Sequence, residues 1–160
     1  MKSDIILAGV GGQGILSIAA VIGTAAVDEG LYLKQAETHG MSQRGGAVVS
    51  HLRIADYPIA SDLIPLGTAD MIISVEPMEA LRYLPYLSKK GCLVTNEAVF
   101  KNIPNYPSVE KIIGEVKKLC NFVVLNAGKI AKQVGNPKAS NMVILGAATP
   151  FLEIKADIIE

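Results

Sequence analysis

The segment Ile5–Val27 restricts the fold more than any other part of the chain. It reads IILAGVGGQG and then, from Ile15, a long apolar run rich in small residues: a short strand, a glycine turn and a helix in direct succession. With Gly9, Gly11, Gly12 and Gly14 the backbone of the turn can come close to whatever it faces, because no Cβ intervenes. The helix that starts near Gly14 brings unpaired N–H groups and the positive end of its macrodipole to the same place.

The alternation continues along the chain. Apolar runs bounded by turn residues predict strands at Ile5–Ala8, Tyr32–Ala36, Ala47–Ile54, Met71–Val75, Cys92–Thr95 and Phe122–Asn126. Helical patterns lie at Ile15–Glu29, closed by Gly30, and at Pro77–Leu87, Val109–Leu119 and Gly128–Val134, with a last one from Pro137 or Ser140 to about Phe151. The expected fold is α/β: a three-layer, Rossmann-like domain with a mixed, mostly parallel sheet and helices on both faces. The mixed character comes from the loop Glu37–Gly46, which is too short for a helical crossover and so predicts an antiparallel pair. Asp56–Asp70, with Pro58 and Pro65 and no clean period, is expected to be an irregular excursion.

At 160 residues, half of them hydrophobic, the chain has the length and core of one domain, expected to span 1–160. Charged residues are 19%, below the roughly 25% of an ordinary soluble domain, and 15 basic side chains balance 15 acidic ones. That balance removes the electrostatic basis for strong nucleic acid binding. A surface short of charge points instead to a protein partner, or to self-association of the isolated chain. Ile15–Val27 is too short to span a bilayer and carries Ser17, Gly23 and Thr24, while Asp4 stands where a secretory signal would be positive. A cytoplasmic location and no membrane partner are expected. Cys92 and Cys120 are read as buried free thiols; two separated cysteines cannot by themselves ligate an iron–sulfur cluster or structural zinc, so no metal site is assigned.

Gly9, Gly11 and Gly14 satisfy the G-x-G-x-x-G dinucleotide pattern, and Glu37 follows Gly14 by 23 residues (37 − 14). A stand-alone NAD(P)- or flavin-binding protein is therefore one reading. The second loop, ETHGMSQRGG, is unusually dense in functional side chains. Strands with a common direction would bring it beside the glycine turn, giving a candidate binding crevice of Gly9, Gly11, Gly12, Gln13 and Gly14 with Glu37, His39, Arg44, Gly45 and Gly46. Arg44 offers a planar fork for a carboxylate or phosphate. The plainer alternative pairs Glu37 with Arg44 across the turn and leaves His39 solvated. His51 is expected on the surface of its strand, and no residue is assigned a catalytic role.

AGVGGQGI at the first turn and ETHGMSQRGG in the second loop, in this order and spacing, resemble the small gamma-type subunit of the 2-oxoacid:ferredoxin oxidoreductases, in particular its indolepyruvate branch. The resemblance continues through ADMIISVEPMEALRYLPYL and KASNMVILGAA. It implies a heteromeric enzyme that oxidatively decarboxylates an arylpyruvate to an arylacetyl-CoA and passes the electrons to ferredoxin. In that family the thiamine diphosphate and the iron–sulfur clusters belong to a large partner subunit, so this chain is expected to hold no cofactor, to be inactive alone and to meet ferredoxin only indirectly, with CoA a candidate for the shared site. Members usually continue for some thirty residues past the equivalent of Pro150–Ile154. A docking scaffold is the third reading; the polar density of the second loop argues against it.

Overall fold

The computed structural model describes residues 1–40 and 45–159. Among these residues six strands form one sheet: β1 (Lys2–Val10), β2 (Tyr32–His39), β3 (Ala47–Ala55), β4 (Ala69–Ser74), β5 (Leu87–Asn96) and β6 (Phe122–Leu125), in the order β2-β3-β1-β4-β5-β6. The pairs β1–β4, β4–β5 and β5–β6 are parallel, whereas β3 runs antiparallel to both β1 and β2. Among the described residues, five strands therefore share one direction and β3 opposes them, the mixed, mostly parallel sheet expected from the sequence.

Both faces are covered, and β1 explains how. Ile5 and Leu7 point to one face, where they pack with Ile18 and Ile22 of α1 (Ile15–Asp28) and Ile144 of α5 (Ser140–Ala148). Ile6 and Ala8 point to the other, against Ala80 of α2 (Pro77–Arg82) and Val116 of α3 (Val109–Val116). Period-two alternation with both sets apolar is what a strand buried on two sides requires. The short helices α4 (Ala127–Gln133) and α6 (Ala156–Ile159) complete the α1 side. No helix among the described residues is long and apolar enough to cross a membrane.

The excursion after β3 is irregular, as expected, and is tied down by charge. Fully buried Asp4 receives the Arg53 guanidinium through Nε at 2.8 Å and Nη2 at 3.1 Å, and Lys2 Nζ lies 2.9 Å away. The remaining Arg53 nitrogen, Nη1, donates to the carbonyls of Ser61 and Leu63. One bidentate pair thus joins β1 to β3 and pins the excursion to both.

Several expected boundaries shift. The helix expected at Pro77–Leu87 stops at Arg82, a single 3-10 turn follows at Leu84–Tyr86, and β5 begins at Leu87. Pro85 enforces that break, since it lacks the N–H a continuing helix needs. Cys92 is buried, but Cys120 is exposed, because α3 ends at Val116 and the chain turns in the open before β6. His51 is buried rather than on the surface: Nδ1 accepts the Ile64 N–H at 3.1 Å, and the ring meets Tyr86 edge to face. Burial pushes the His51 imidazole below its usual value.

Candidate functional site

β1 lies where the order of the sheet changes hands, with β3 on one side and β4 on the other, and its C-terminal end opens into the glycine turn. The turn closes on itself. Gln13 Oε1 accepts the Val10 N–H at 2.8 Å, and the Gln13 N–H returns to the Val10 carbonyl at 3.1 Å. Gly12 (φ 93°) and Gly14 (φ 77°) occupy the left-handed region, where any Cβ would be strained. Gly14 is the N-cap of α1 and brings no capping side chain. Asn141, in the first turn of α5, donates from Nδ2 to the Gly14 carbonyl at 3.2 Å; a Cβ on Gly14 would stand 2.5 Å from that nitrogen. Gly9 is constrained by contact instead, since a Cβ there would run into Ile15 Cδ1.

The second wall is the β2–β3 hairpin. The Gly11 N–H donates to the Gly46 carbonyl at 2.9 Å, and the Gly40 N–H to the Ala47 carbonyl at 2.9 Å, so turn and hairpin end lie side by side. Glu37, Thr38 and His39 are not loop residues: β2 runs on to His39, pairing Glu37 with Ser50 and His39 with Val48. Because Gln35, Glu37 and His39 share one face of the strand, their side chains meet. His39 Nε2 lies 3.2 Å from Glu37 Oε2, and Gln35 Nε2 bonds Glu37 Oε1 and reaches Ser50 Oγ at 3.1 Å. His39 thus has an acidic partner two residues back on the same face of β2. Arg44 lies outside the described residues.

Between these walls is a cleft of about 570 Å³ whose sides include Val10, Gly11, Gly12, Leu16, His39 and Val48. His39 is the one ionisable side chain among the described lining residues. Gly14 lines the cleft too, whereas Gly9 and Gln13 shape the turn, Glu37 holds His39, and Gly45 and Gly46 fix the hairpin end. Most of the candidate residues are thereby brought together, and the described lining is glycine and aliphatic surface apart from His39.

A third segment, residues 97–106 after β5, meets the end of the hairpin beside the cleft. Asn102 Nδ2 donates to the Gly45 carbonyl at 2.9 Å. The segment is anchored on Glu76, which follows β4 and is 1% exposed. Glu76 Oε2 caps α2 by accepting the Glu79 N–H at 3.0 Å, while Oε1 accepts the Phe100 N–H at 3.2 Å and the Tyr106 hydroxyl. Burial and that bond push the Tyr106 phenol far above its usual range, so it remains a donor. Sequence reading missed Glu76, Asn102, Tyr106 and Asn141. The available signal was Glu76 directly before Pro77, an N-cap ahead of a first-turn proline.

Among the described residues no three His, Cys, Asp or Glu gather as a metal would need. The dinucleotide reading meets a topological obstacle. In the doubly wound dinucleotide fold the strand bearing the ribose-binding acid lies next to the first strand. Here β3 lies between β1 and β2, which sets Glu37 two strand spacings, about 10 Å, from β1. Both Glu37 oxygens are also engaged, by Gln35 and His39.

Comparison with known proteins agrees with this architecture. The family model for pyruvate ferredoxin/flavodoxin oxidoreductase matches residues 4–160. The indolepyruvate oxidoreductase subunit IorB of Archaeoglobus fulgidus is 42% identical over 153 residues, covering 91% of this chain and 75% of that one. Among solved structures, the keto/oxoacid ferredoxin oxidoreductase gamma subunit of Geobacter sulfurreducens matches with a TM-score of 0.67 at 23% identity, over 98% of this chain and 82% of that one. The 2-oxoglutarate:ferredoxin oxidoreductase of Magnetococcus marinus, solved with 2-oxoglutarate, coenzyme A and succinyl-CoA, matches with a TM-score of 0.73 at 18% identity, over 99% of this chain and 26% of that one. These two likenesses establish the shared fold. The chain belongs to the pyruvate ferredoxin/flavodoxin oxidoreductase family, as a small subunit of a 2-oxoacid:ferredoxin oxidoreductase.

Proposed function

We propose that this chain is the small subunit of an arylpyruvate oxidoreductase in the cytoplasm, one gamma-type domain across 1–160, and that its glycine-edged cleft completes a substrate or CoA channel with a large subunit. The complex would convert one 2-oxoacid, one CoA and two oxidised ferredoxins into one acyl-CoA, one CO2, two reduced ferredoxins and one proton. The thiamine diphosphate and iron–sulfur clusters of the large subunit supply the bond cleavage and the electron path. This chain's part is to bind and orient. The observation that carries this reading is the cleft's chemistry: His39 is the one ionisable group among its described lining residues, backed by Glu37, and the rest is glycine and aliphatic surface. Such a wall suits the uncharged arm of a ligand, with His39 offering a polar ring edge at one end.

Arg44 is proposed, from sequence alone, to offer its guanidinium to an anionic group of that ligand. Arg44→Ala should weaken the ligand by about 1.5–3 kcal/mol without unfolding the chain. The preference for indolepyruvate is supported by the 42% identical relative of that name. The test is a substrate panel in the reconstituted complex, reading CoA-dependent ferredoxin reduction with indolepyruvate, pyruvate and 2-oxoglutarate. Indolepyruvate should have a kcat/KM at least about tenfold above the others, equivalent to about 1.4 kcal/mol of discrimination. A preference for 2-oxoglutarate or pyruvate would overturn the substrate assignment.

A further inference from the structure

The hairpin end is held from two sides. On one side the Gly46 carbonyl accepts from Gly11; on the other the Gly45 carbonyl accepts from Asn102, and the Phe100 ring lies against Gly45, 3.8 Å from where a Cβ would stand. Asn102 and Phe100 belong to a segment with no regular structure that is tied on both sides of Asn102 to one buried carboxylate, through the Phe100 N–H and the Tyr106 hydroxyl. We infer that Glu76 is a positioning residue for the cleft: it fixes the segment 97–106 so that Asn102 holds the hairpin end against the glycine turn.

The chemistry at Glu76 favours a carboxylate over its amide. Three donors converge on two oxygens: the Glu79 N–H on Oε2, and the Phe100 N–H and Tyr106 hydroxyl on Oε1. A carboxylate is acceptor-only and meets all three. Glutamine has one acceptor oxygen, and whichever way it is turned its NH2 opposes a backbone N–H, that of Glu79 or that of Phe100. Burial raises the cost of that mismatch, because no water replaces the lost partner. Helix capping alone would need only the Oε2 contact; the second oxygen is committed to the segment that meets the hairpin.

This inference rests on the cleft serving turnover, so its test carries a separate control for that reading. In the reconstituted complex, Asn102→Ala and Tyr106→Phe each remove one link of the path without entering the core, and Asn102→Gln keeps an amide donor. Leu16→Trp, in the first turn of α1, obstructs the cleft directly. The readouts are hydrogen exchange at the Gly11 amide and the steady-state constants.

With the path broken, Gly11 should exchange about fivefold to tenfold faster while amides in the centre of β4 keep their protection, as expected for loss of one ordinary hydrogen bond. The apparent constant for CoA should rise by a similar factor, with kcat within about twofold, and Asn102→Gln should recover part of both effects. If Leu16→Trp lowers turnover but Asn102→Ala and Tyr106→Phe leave Gly11 exchange and the CoA constant at wild-type values, the role of Glu76 is overturned and the cleft reading stands. If Leu16→Trp also turns over normally, the cleft reading fails and this inference falls with it.

Discussion

Glu76, just past the end of β4, and His51, within β3, are both buried polar side chains, and they should respond to different kinds of change. For Glu76 the sensitive variable is the acceptor count. Glu76→Gln should lower unfolding stability by about 1–3 kcal/mol, the cost of stranding a buried donor, measurable as a shift in urea midpoint. For His51 the variable is pH. Burial depresses its folded-state value, opposed by Asp62 and reinforced by Arg53, so the folded chain binds the proton more weakly than the unfolded chain, which takes it up near 6.5. The unfolded state then binds more protons as pH falls, and stability should drop on going from about pH 7.5 to about pH 5.5. His51→Gln, which retains an acceptor for the Ile64 N–H, should flatten that part of the profile. An unchanged slope would mean that the fold does not disfavour protonation of His51. Glu79, raised by burial against the pull of Arg82, acts with the opposite sign: its protonation on acidification relieves a cost. Comparing His51→Gln with wild type isolates the histidine from it.

At the level of elements, the start of α1 depends on α5. Gly14 needs both its left-handed backbone and the space that Asn141 leaves. Gly14→Ala should cost about 1–2 kcal/mol for the backbone conformation alone, plus a collision term that Asn141→Ala removes. In a double-mutant cycle read by chemical denaturation the two substitutions should therefore couple; strict additivity would contradict the contact. The expected strands and helices all occur, because apolar runs and turn residues report the two-sided burial of β1, β4 and β5 directly. The departures share a cause. Glu37 and His39 were read as loop because β2 is an edge strand facing solvent, so no apolar alternation marks its end. His51 was read as surface because what buries it, Tyr86 and the excursion after β3, is remote in sequence. The glycine turn and its neighbour were legible as a pair because five strands share a direction. Glu76, Asn102 and Asn141 were not, since their roles exist only once β4, the 97–106 segment and α5 converge on that edge.

At the scale of the whole molecule, the proposed role of the chain is to present a shaped edge and to leave the chemistry to a large partner subunit. A partner that binds only the folded form adds stability by mass action, so the melting temperature should rise on mixing with the large subunit. The most direct test of the central claim is a titration of the purified large subunit with this chain, reading CoA-dependent ferredoxin reduction by indolepyruvate, alongside Gly12→Val and Leu16→Trp. Gly12→Val strains a left-handed backbone position, whereas Leu16→Trp fills the cleft from a helical one, so the pair separates backbone strain from obstruction. Activity should rise to a plateau at stoichiometric wild-type chain, and the variants should co-elute with the large subunit yet give at least about tenfold less turnover, about 1.4 kcal/mol of lost transition-state stabilisation. Full activity of the large subunit alone, or wild-type turnover in complexes carrying both variants, would contradict the claim.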